Sequence, residues 1–336
     1  MTLFRRRKLL ARSLGGAASI ALGSGFPASL RAQADAGGYP SRPIRWIVPA
    51  PPGGVTDTVA RVFGQALQEA WGQPVIVENR PGAASNLGME AVFRAPADGH
   101  TLLLAFPTLA TNGELFRGRL AFDPQRAFVG VSQVLAIPNA IVVPAAAPWQ
   151  RIEDLLAQAR ARPGSLSYGS AGIGTITHLG MELFKTLLGV DIAHVPYKSS
   201  APVIQDLAAG ALPLASDNLP THVPQIRAGR ERALLILGQQ RVAATPEVRT
   251  MGDLGHRDFE TSGWVGMAVR DATPRPIVEK LAREMQRIAQ LPEVRRRFEE
   301  PGFVMVGGSP EQFDRLIAGD AAKWQRLIRE HGIRAE

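Results

Sequence analysis

Ile44-Arg45-Trp46-Ile47-Val48-Pro49-Ala50-Pro51-Pro52-Gly53-Gly54-Val55-Thr56-Asp57 reads as a buried strand that breaks into a proline- and glycine-rich loop and opens a helix. Over residues 56–70 the apolar Val59, Val62, Phe63, Ala66, Leu67 and Ala70 recur at three- and four-residue spacing, the pattern of a helix with one buried face. The first turn of such a helix has N–H groups without acceptors and carries the positive end of the peptide dipole. A Gly-Gly turn leaves room in front of it. The segment is therefore an anion cradle suited to a carboxylate or a phosphate.

The same unit recurs along the chain. Residues 74–79 form a β-branched strand, 80–86 a loop and 87–94 a helix. Residues 101–106 are a third strand, and 140–144 a fourth after a long irregular stretch over 108–138. A second series follows: helix 152–161, strand 166–169, the loop Ser170-Ala171-Gly172-Ile173-Gly174-Thr175, helix 176–188, strand 192–195, the loop Pro196-Tyr197-Lys198-Ser199-Ser200 and helix 201–209. Strands are expected at 212–215, 233–237 and 264–269, and helices at 223–228, 274–290, 294–299, 310–318 and 321–331. Strands alternating with helices predict an α/β fold with parallel sheets covered on both faces. About 300 residues beyond the leader described below is a size at which chains split into two lobes. The predicted division is 40–140 plus 264–305 for lobe 1 and 141–263 plus 306–336 for lobe 2, with chain crossings near 137–142 and 261–266.

Residues 1–34 carry Arg5, Arg6, Arg7, Lys8, Arg12 and Arg31 without an acid, then an apolar run over 14–26 and the small-residue end Ala32-Gln33-Ala34. That pattern predicts an export signal, twin-arginine-like in its paired arginines, cleaved near Ala34. The apolar run is too short to span a bilayer. Without those six basic residues, 32 remain against 30 acids, so the net charge is +2 rather than +8. The rest are scattered apart from Arg295-Arg296-Arg297, so no nucleic-acid partner is expected. The absence of cysteine excludes disulfides, thiol chemistry and thiolate metal sites. A free soluble protein outside the cytoplasm, monomeric and without metal or cofactor, is the expectation.

Four Gly/Ser-rich loops at strand ends are what an open α/β sheet uses to hold a ligand outside the carboxyl ends of its strands. Glycines also end strands for steric reasons alone. The run Gly169-Ser170-Ala171-Gly172-Ile173-Gly174 has the wrong spacing for a dinucleotide fingerprint and lacks a Gly-Lys-Ser/Thr end. It also lacks nucleophile-elbow spacing around Ser170. A serine hydrolase using Ser170 with His178 or His194 is thus a weak rival. The six histidines are dispersed, none at metal-ligand spacing. His178 reads as a supporting or helix-start residue and His194 as a satisfied core histidine. Asp57 reads either as a brace for loop N–H groups or as a direct contact to a ligand ammonium or hydroxyl.

The first cradle, then Val77-Glu78-Asn79-Arg80-Pro81-Gly82-Ala83, Asp98-Gly99-His100-Thr101-Leu102-Leu103, Tyr168-Gly169-Ser170 with Gly174-Thr175, His194-Val195-Pro196-Tyr197-Lys198 and Val306-Gly307-Gly308-Ser309-Pro310 occur in the order seen in one family. On these motifs the chain resembles the Bug-type solute receptors of tripartite tricarboxylate transporters. The resemblance implies a two-lobed periplasmic-binding-protein fold of type II, a Venus flytrap with the ligand cleft between lobes. It further implies a receptor, not an enzyme, that closes on a small organic carboxylate and delivers it to membrane permease subunits; presentation to a signalling partner is the alternative. Carried over by position, one set of ligand-binding residues is Pro51, Gly53, Gly54 and Asp57, with Ser85 and Asn86 nearby. The other is Ser170, Gly174, Thr175, Ser199, Ser200 and Asp217. Glu78 and Arg80 look like a brace beside the cleft.

The chain also departs from the family. Ala50 stands where an aromatic residue is usual, and Pro52, which has no N–H to donate, interrupts the usual Pro-Ala-Gly-Gly. Ser199 replaces a glycine, and Ile173 with Ile176 makes the second loop more apolar. The expected solute has a bulkier or less polar body than a plain four-carbon dicarboxylate.

Overall fold

β-branched and aromatic runs supply the strands and amphipathic stretches the helices. In the computed structural model, which describes residues 38–333, the chain runs β1 (Ile44–Val48), α1 (Val55–Trp71), β2 (Val75–Asn79), α2 (Asn86–Phe93), β3 (Thr101–Ala105), α3 (Thr108–Leu115), α4 (Pro124–Ala127) and β4 (Phe128–Ile137). It continues with β5 (Asn139–Pro144), α5 (Ile152–Ala161), β6 (Ser167–Ser170), α6 (Ile176–Leu188), β7 (Ala193–Pro196), α7 (Ser200–Ala208), β8 (Leu214–Asn218), α8 (Leu219–Arg227) and β9 (Glu231–Ile236). Last come β10 (Gly263–Arg270), α9 (Arg275–Ala289), α10 (Pro292–Glu299), β11 (Val304–Met305) and α11 (Pro310–Glu330). The export-signal reading of 1–34 lies outside the described residues. Among the described residues no helix is long and apolar enough to cross a membrane.

The strands form two sheets, ordered β2-β1-β3-β10-β4-β11 and β7-β6-β8-β5-β9. In the first, β1 pairs in parallel with β2 and β3, while β10 runs antiparallel to β3 and β4. In the second, β6 pairs in parallel with β7 and β8, while β5 runs antiparallel to β8 and β9. The sheets are mixed, not purely parallel as expected. Two of the three antiparallel members follow a crossing: β5 is the first strand after the chain leaves the first sheet, and β10 the first after it returns; the third, β11, runs against β4 at the sheet edge. β5 and β10 each enter from the hinge end and run against both strands beside them. The fold is a two-lobed α/β architecture.

Alternation along the central strands sends side chains to both faces, and both are buried. Trp46, Val48, Leu102, Leu104, Val265 and Met267 join one core with Phe63 and Leu67 of α1 and Leu281 and Met285 of α9. Ile47, Leu103, Trp264 and Ala268 join another with Met89 of α2, Leu109 of α3 and Phe313 and Ile317 of α11. The second sheet is sandwiched likewise, between α5 with α6 and α7 with α8.

The C-terminal stretch differs from expectation. Residues 310–330 are one helix, not two, and it does not belong to lobe 2 alone. Its Phe313, Ile317 and Ala321 sit under the first sheet, while Trp324, Leu327 and Ile328 pack on Ile176 and Leu179 of α6. Nothing crowds Gly319, so its cost in mid-helix is about 1 kcal/mol. The continuous apolar stripe on either side outweighs it. Ser309 and Gln312 close a capping box at the helix start.

The crossings are short. β4 ends at Ile137 and β5 starts at Asn139; Thr261 still donates its N–H to Leu237 O at 3.1 Å, whereas Gly263 already pairs with Ile137. The buried Asn139 amide donates to Thr261 O at 2.8 Å and to Ile176 O at 3.3 Å, tying both crossings to the start of α6.

α2 packs so tightly on the loop after β1 that a side-chain carbon on Gly88 would lie 2.5 Å from Pro49 Cβ and 3.0 Å from Arg80 O. Gly88→Ala is expected to cost about 1–3 kcal/mol through overpacking, read as a lower urea midpoint with unchanged slope. An unchanged midpoint would contradict this packing.

Candidate functional site

The C-terminal ends of the parallel strands in both sheets carry the loops that open helices, and these meet at the hinge. Between the lobes lies a cavity of about 230 Å³. From lobe 1 it is lined by Thr56 in the first turn of α1, by Phe106 and Pro107 after β3, and by Thr108 and Thr111 of α3. From lobe 2 come Ala171, Gly174 and Thr175 of the loop after β6, Ile176 and Thr177 of α6, and Asn218 before α8. Ile137, Gly263, Trp264 and Val265 of the hinge form the floor. Among the described residues, no Lys, Arg, His, Asp or Glu lines it. The hollows of about 460 Å³ beside α3 and α4 and about 450 Å³ beside β9 are larger, but they lie on outer surfaces walled by charges such as the Glu114–Arg329 and Glu153–Arg249 pairs.

The first jaw is held from behind. Gly54 caps α1 in an extended conformation without a side-chain cap, leaving the opening N–H groups of the helix without a capping acceptor. Asp57 is buried; it accepts the Gly53 N–H and the Arg61 Nε–H, each at 3.0 Å. Burial works against its charge, but Arg61 and the Gly53 N–H more than offset that and hold the carboxyl below its usual range. Arg61 reaches on to Asn79 Oδ1, and Asn79 Nδ2 donates to Ala50 O. Asp57 is thus bonded as a loop brace, while Pro51, Gly53 and Gly54 are exposed and lie outside the cavity wall. Ser85 and Asn86 are buried: Asn112 Nδ2 donates to Ala84 O at 2.7 Å and to Asn86 Oδ1 at 2.8 Å. This brace holds Ala83, Ala84 and Ser85 at φ of 46°, 50° and 77°, a left-handed run made of non-glycine residues.

The second jaw is a network. Thr175 caps α6 and donates to Gly172 O at 2.6 Å, Ala171 N–H donates to Thr177 Oγ1 at 3.1 Å, and Gly174 N–H donates to His178 Nδ1 at 3.2 Å. Ser170 is fully buried, its Oγ 2.7 Å from His194 Nε2. Burial lowers His178 to about 4, with Lys185 and His331 adding to the effect and Glu182 opposing it. His194 falls to about 4 as well, through burial and the neighbouring His178.

Asp217 does not reach the cavity. It is fully buried, accepting Ser200 Oγ–H and Asn218 N–H at 2.8 Å each on one oxygen, and sits 3.3 Å from His222 Nε2 on the other. His222 Nδ1 lies 2.7 Å from Glu231 Oε2. Ser199 is an exposed helix cap without a side-chain bond.

Of the twelve residues assigned from sequence, Gly174 and Thr175 line the cavity and the others lie behind or beside it. Thr56, Thr108, Thr111, Thr177, Asn218 and the apolar floor were missed. The signal for Thr56 and Thr177 was present, since each is a first-turn residue after a recognised loop. For Thr108 and Thr111 the clue is the Phe106-Pro107 break just after β3.

Among the described residues no group of three metal-ligating side chains is placed to hold an ion. A family model described as the tripartite tricarboxylate transporter family receptor matches residues 59–333, and the chain belongs to that family. BugT of Bordetella pertussis is 35% identical over 309 residues, covering 91% of this chain and 94% of the relative. Rpa4515 of R. palustris, solved with adipate, is 34% identical with a TM-score of 0.75, covering 88% of this chain and 99% of its own. MatC from Rhodopseudomonas palustris, solved with bound malate, is 27% identical with a TM-score of 0.71, covering 86% of this chain and 100% of its own.

Two local features predict measurable effects. Ala84→Gly should relieve left-handed strain by more than it adds in unfolded-chain entropy, for a net gain of up to about 1 kcal/mol; urea unfolding checks this, and a lower midpoint would refute it. Burial alone would lower His222, but the bonds and charges of Asp217 and Glu231 outweigh it and raise it to about 9. A raised folded value means this stabilisation is complete below the unfolded value of 6.5 and is lost as pH rises through 9. The imidazole of His222 should stay protonated at pH 8, visible in its ring ¹⁵N shifts; neutral-ring shifts there would refute the assignment.

Proposed function

We propose that this protein is a periplasmic receptor that closes its two lobes on a small organic carboxylate and delivers it to membrane permease subunits. The observation that carries this reading is the convergence of the N-terminal ends of α1, α3, α6 and α8 on a cavity without charged side chains. Each helix start offers N–H groups and roughly half a positive charge. Ordered water can complete the shell around the anion. The bound adipate and malate of the two structural relatives lend the solute class its support.

Charge recognition and body recognition are separate in this cavity. Threonines and Asn218 line the approaches to the helix ends, whereas Phe106, Ile137, Ile176, Trp264 and Val265 present apolar surface. A carboxylate with an extended apolar body fits that division better than a short, highly hydroxylated one. The cavity is below the roughly 300–1,000 Å³ of drug-sized sites, which favours a small solute.

The contact between Ser170 Oγ and His194 Nε2 at 2.7 Å favours a second reading, a serine hydrolase. Three facts weigh against it. Ser170 is fully buried, its Oγ is also within 3.4 Å of Gly172 O, and the His194 ring lies between Tyr168 and His178 with no carboxylate among the described residues hydrogen-bonded to it.

Thermal-shift and calorimetric titration of the leaderless protein against mono-, di- and tricarboxylates tests the proposal. A saturating solute at about 100 times its Kd should stabilise the fold by about 2.7 kcal/mol. Gly54→Glu should leave stability intact, because only Thr56 Oγ1, at 4.0 Å, approaches a side chain there. It should abolish solute binding by placing a carboxylate in the cradle. Turnover of an ester with no carboxylate bound would overturn the receptor reading.

A further inference from the structure

Behind the second jaw stands a column of rings that solute contact does not require. His178 of α6 and His194 of β7 stack with centroids 4.1 Å apart and planes inclined by 20°. Tyr168 of β6 lies against His194, 4.8 Å away. Two contacts lead from this column to the loop of the jaw: Gly174 N–H donates to His178 Nδ1 at 3.2 Å, and Ser170 Oγ lies 2.7 Å from His194 Nε2. Gly174 itself lines the cavity, with φ of 75°. It is also where the loop meets the opposite lobe, since a side-chain carbon there would sit 3.3 Å from Leu115 of α3.

We propose that His178 is a positioning residue for solute capture: its neutral imidazole accepts the Gly174 N–H and fixes the turn that presents the second jaw. This rests on the receptor reading above. The chemistry is one of donors and acceptors. An acceptor at Nδ1 requires the ring proton at Nε2, and an imidazolium, with N–H on both nitrogens, has no lone pair to offer. Protonation therefore turns a donor–acceptor contact into two opposed donors and leaves the Gly174 N–H unsatisfied. The loop's other bonds hold its neighbours, Thr175 to Gly172 and Ala171 to Thr177, so none replaces this one.

The surroundings keep the ring neutral. Glu182 and Lys185 face it from its own helix, His194 from β7 and His331 from the end of α11, while Tyr168 of β6 lies on the far side of His194 and reaches this group through its bond to Glu182. Glu182 is the one acid in this set, and it is engaged by Lys185 at 2.8 Å and by Tyr168 OH at 2.7 Å. The acceptor is thus available throughout the neutral range and is withdrawn on strong acidification.

The test uses wild type, His178→Asn and His178→Leu. Asparagine places an oxygen near the Nδ1 position and does not titrate; leucine offers no acceptor. Amide exchange of Gly174 is followed by ¹H–¹⁵N spectra without ligand, and adipate serves as the binding probe. In wild type the Gly174 amide should be protected at pH 7 and lose protection with the His178 ring titration. His178→Asn should keep it protected at all pH values, and His178→Leu should exchange roughly tenfold faster at pH 7. Adipate should bind the leucine variant roughly tenfold more weakly at unchanged thermal stability and the asparagine variant within about threefold of wild type. The affinity ratio of wild type to His178→Asn should fall on acidification; adipate's own protonation cancels in it.

Equal Gly174 exchange in wild type and a folded His178→Leu protein, or equal adipate affinity, overturns the proposal. If the leucine variant does not fold, the asparagine profile decides: protection independent of pH supports the proposal, and acid loss like that of wild type overturns it. Failure of wild type to bind adipate counts against the receptor reading for that solute, while Gly174 exchange still decides the role of His178.

Discussion

The bonds of Asn139 are the constraint on which the rest of the architecture hangs. One amide nitrogen holds the carbonyl of Thr261 in the returning crossing and the carbonyl of Ile176 at the start of α6, from a residue that itself begins the outgoing crossing. Both connections between the sheets and one of the helix ends facing the cleft are thereby fixed to a common point. The mixed character of each sheet follows from the same place, because a strand arriving from the hinge can only run against its neighbours. Once these crossings are set, every parallel strand points its carboxyl end toward the cleft, and every helix that follows begins there.

That arrangement supplies positive potential without positive side chains. A buried carboxylate is costly to desolvate unless its oxygens meet donors and an opposing charge. An arginine in the wall would meet that need with a strong bidentate pair. Helix ends and bridging water meet it with several weaker, preoriented dipoles, which suits a protein whose proposed task includes release. The neutrality of the wall is maintained by placing the charged groups one layer back. Asp57 is occupied by Gly53 and Arg61, and Asp217 by Ser200, Asn218 and His222, so neither carboxylate repels an anion from the cavity surface.

Period and turn chemistry made α1, α9 and the strands β1, β2 and β3 legible, since each combines a clear apolar repeat with a proline or glycine break. α3 was not, because Thr108–Leu115 mixes threonine, asparagine and glycine and shows little amphipathic contrast. It becomes helical through packing of Leu109 and Ala110 beneath the first sheet, a tertiary effect. β4 was absorbed into the same irregular stretch, although its ten residues span the sheet between β10 and β11. Asp217 shows the limit most plainly. An aspartate after a strand at a cleft looks like a ligand, and only the fold reveals that His222 and Glu231 lie behind it to form a buried charged triad.

The long C-terminal helix adds a mechanical condition. In the closure proposed for this receptor, the lobes rotate about crossings of one or two residues, and α11 touches both. Its first half interlocks with the first sheet: Trp264 Nε1–H donates to Asp320 at 2.8 Å, Gly130 N–H donates to Asp314 at 2.6 Å, and Phe313 fills the space over Gly266. Its second half meets α6 through Trp324, Leu327 and Ile328 on Ile176 and Leu179, with polar ties from Lys323 Nζ–H to Glu260 O at 2.7 Å and between His331 Nε2 and Thr186 Oγ1 at 3.4 Å. Directional bonds would resist sliding, whereas apolar contact has no preferred direction and can shear over small distances at little cost. α11 is therefore held to the first lobe by its interlocking half and to the other by an apolar face whose shear is limited by the bonds of Lys323 to Glu260 O and of His331 to Thr186. Because Ile176 belongs both to that sliding face and to the cavity wall, a solute that orders the start of α6 also biases the position of α6 on α11.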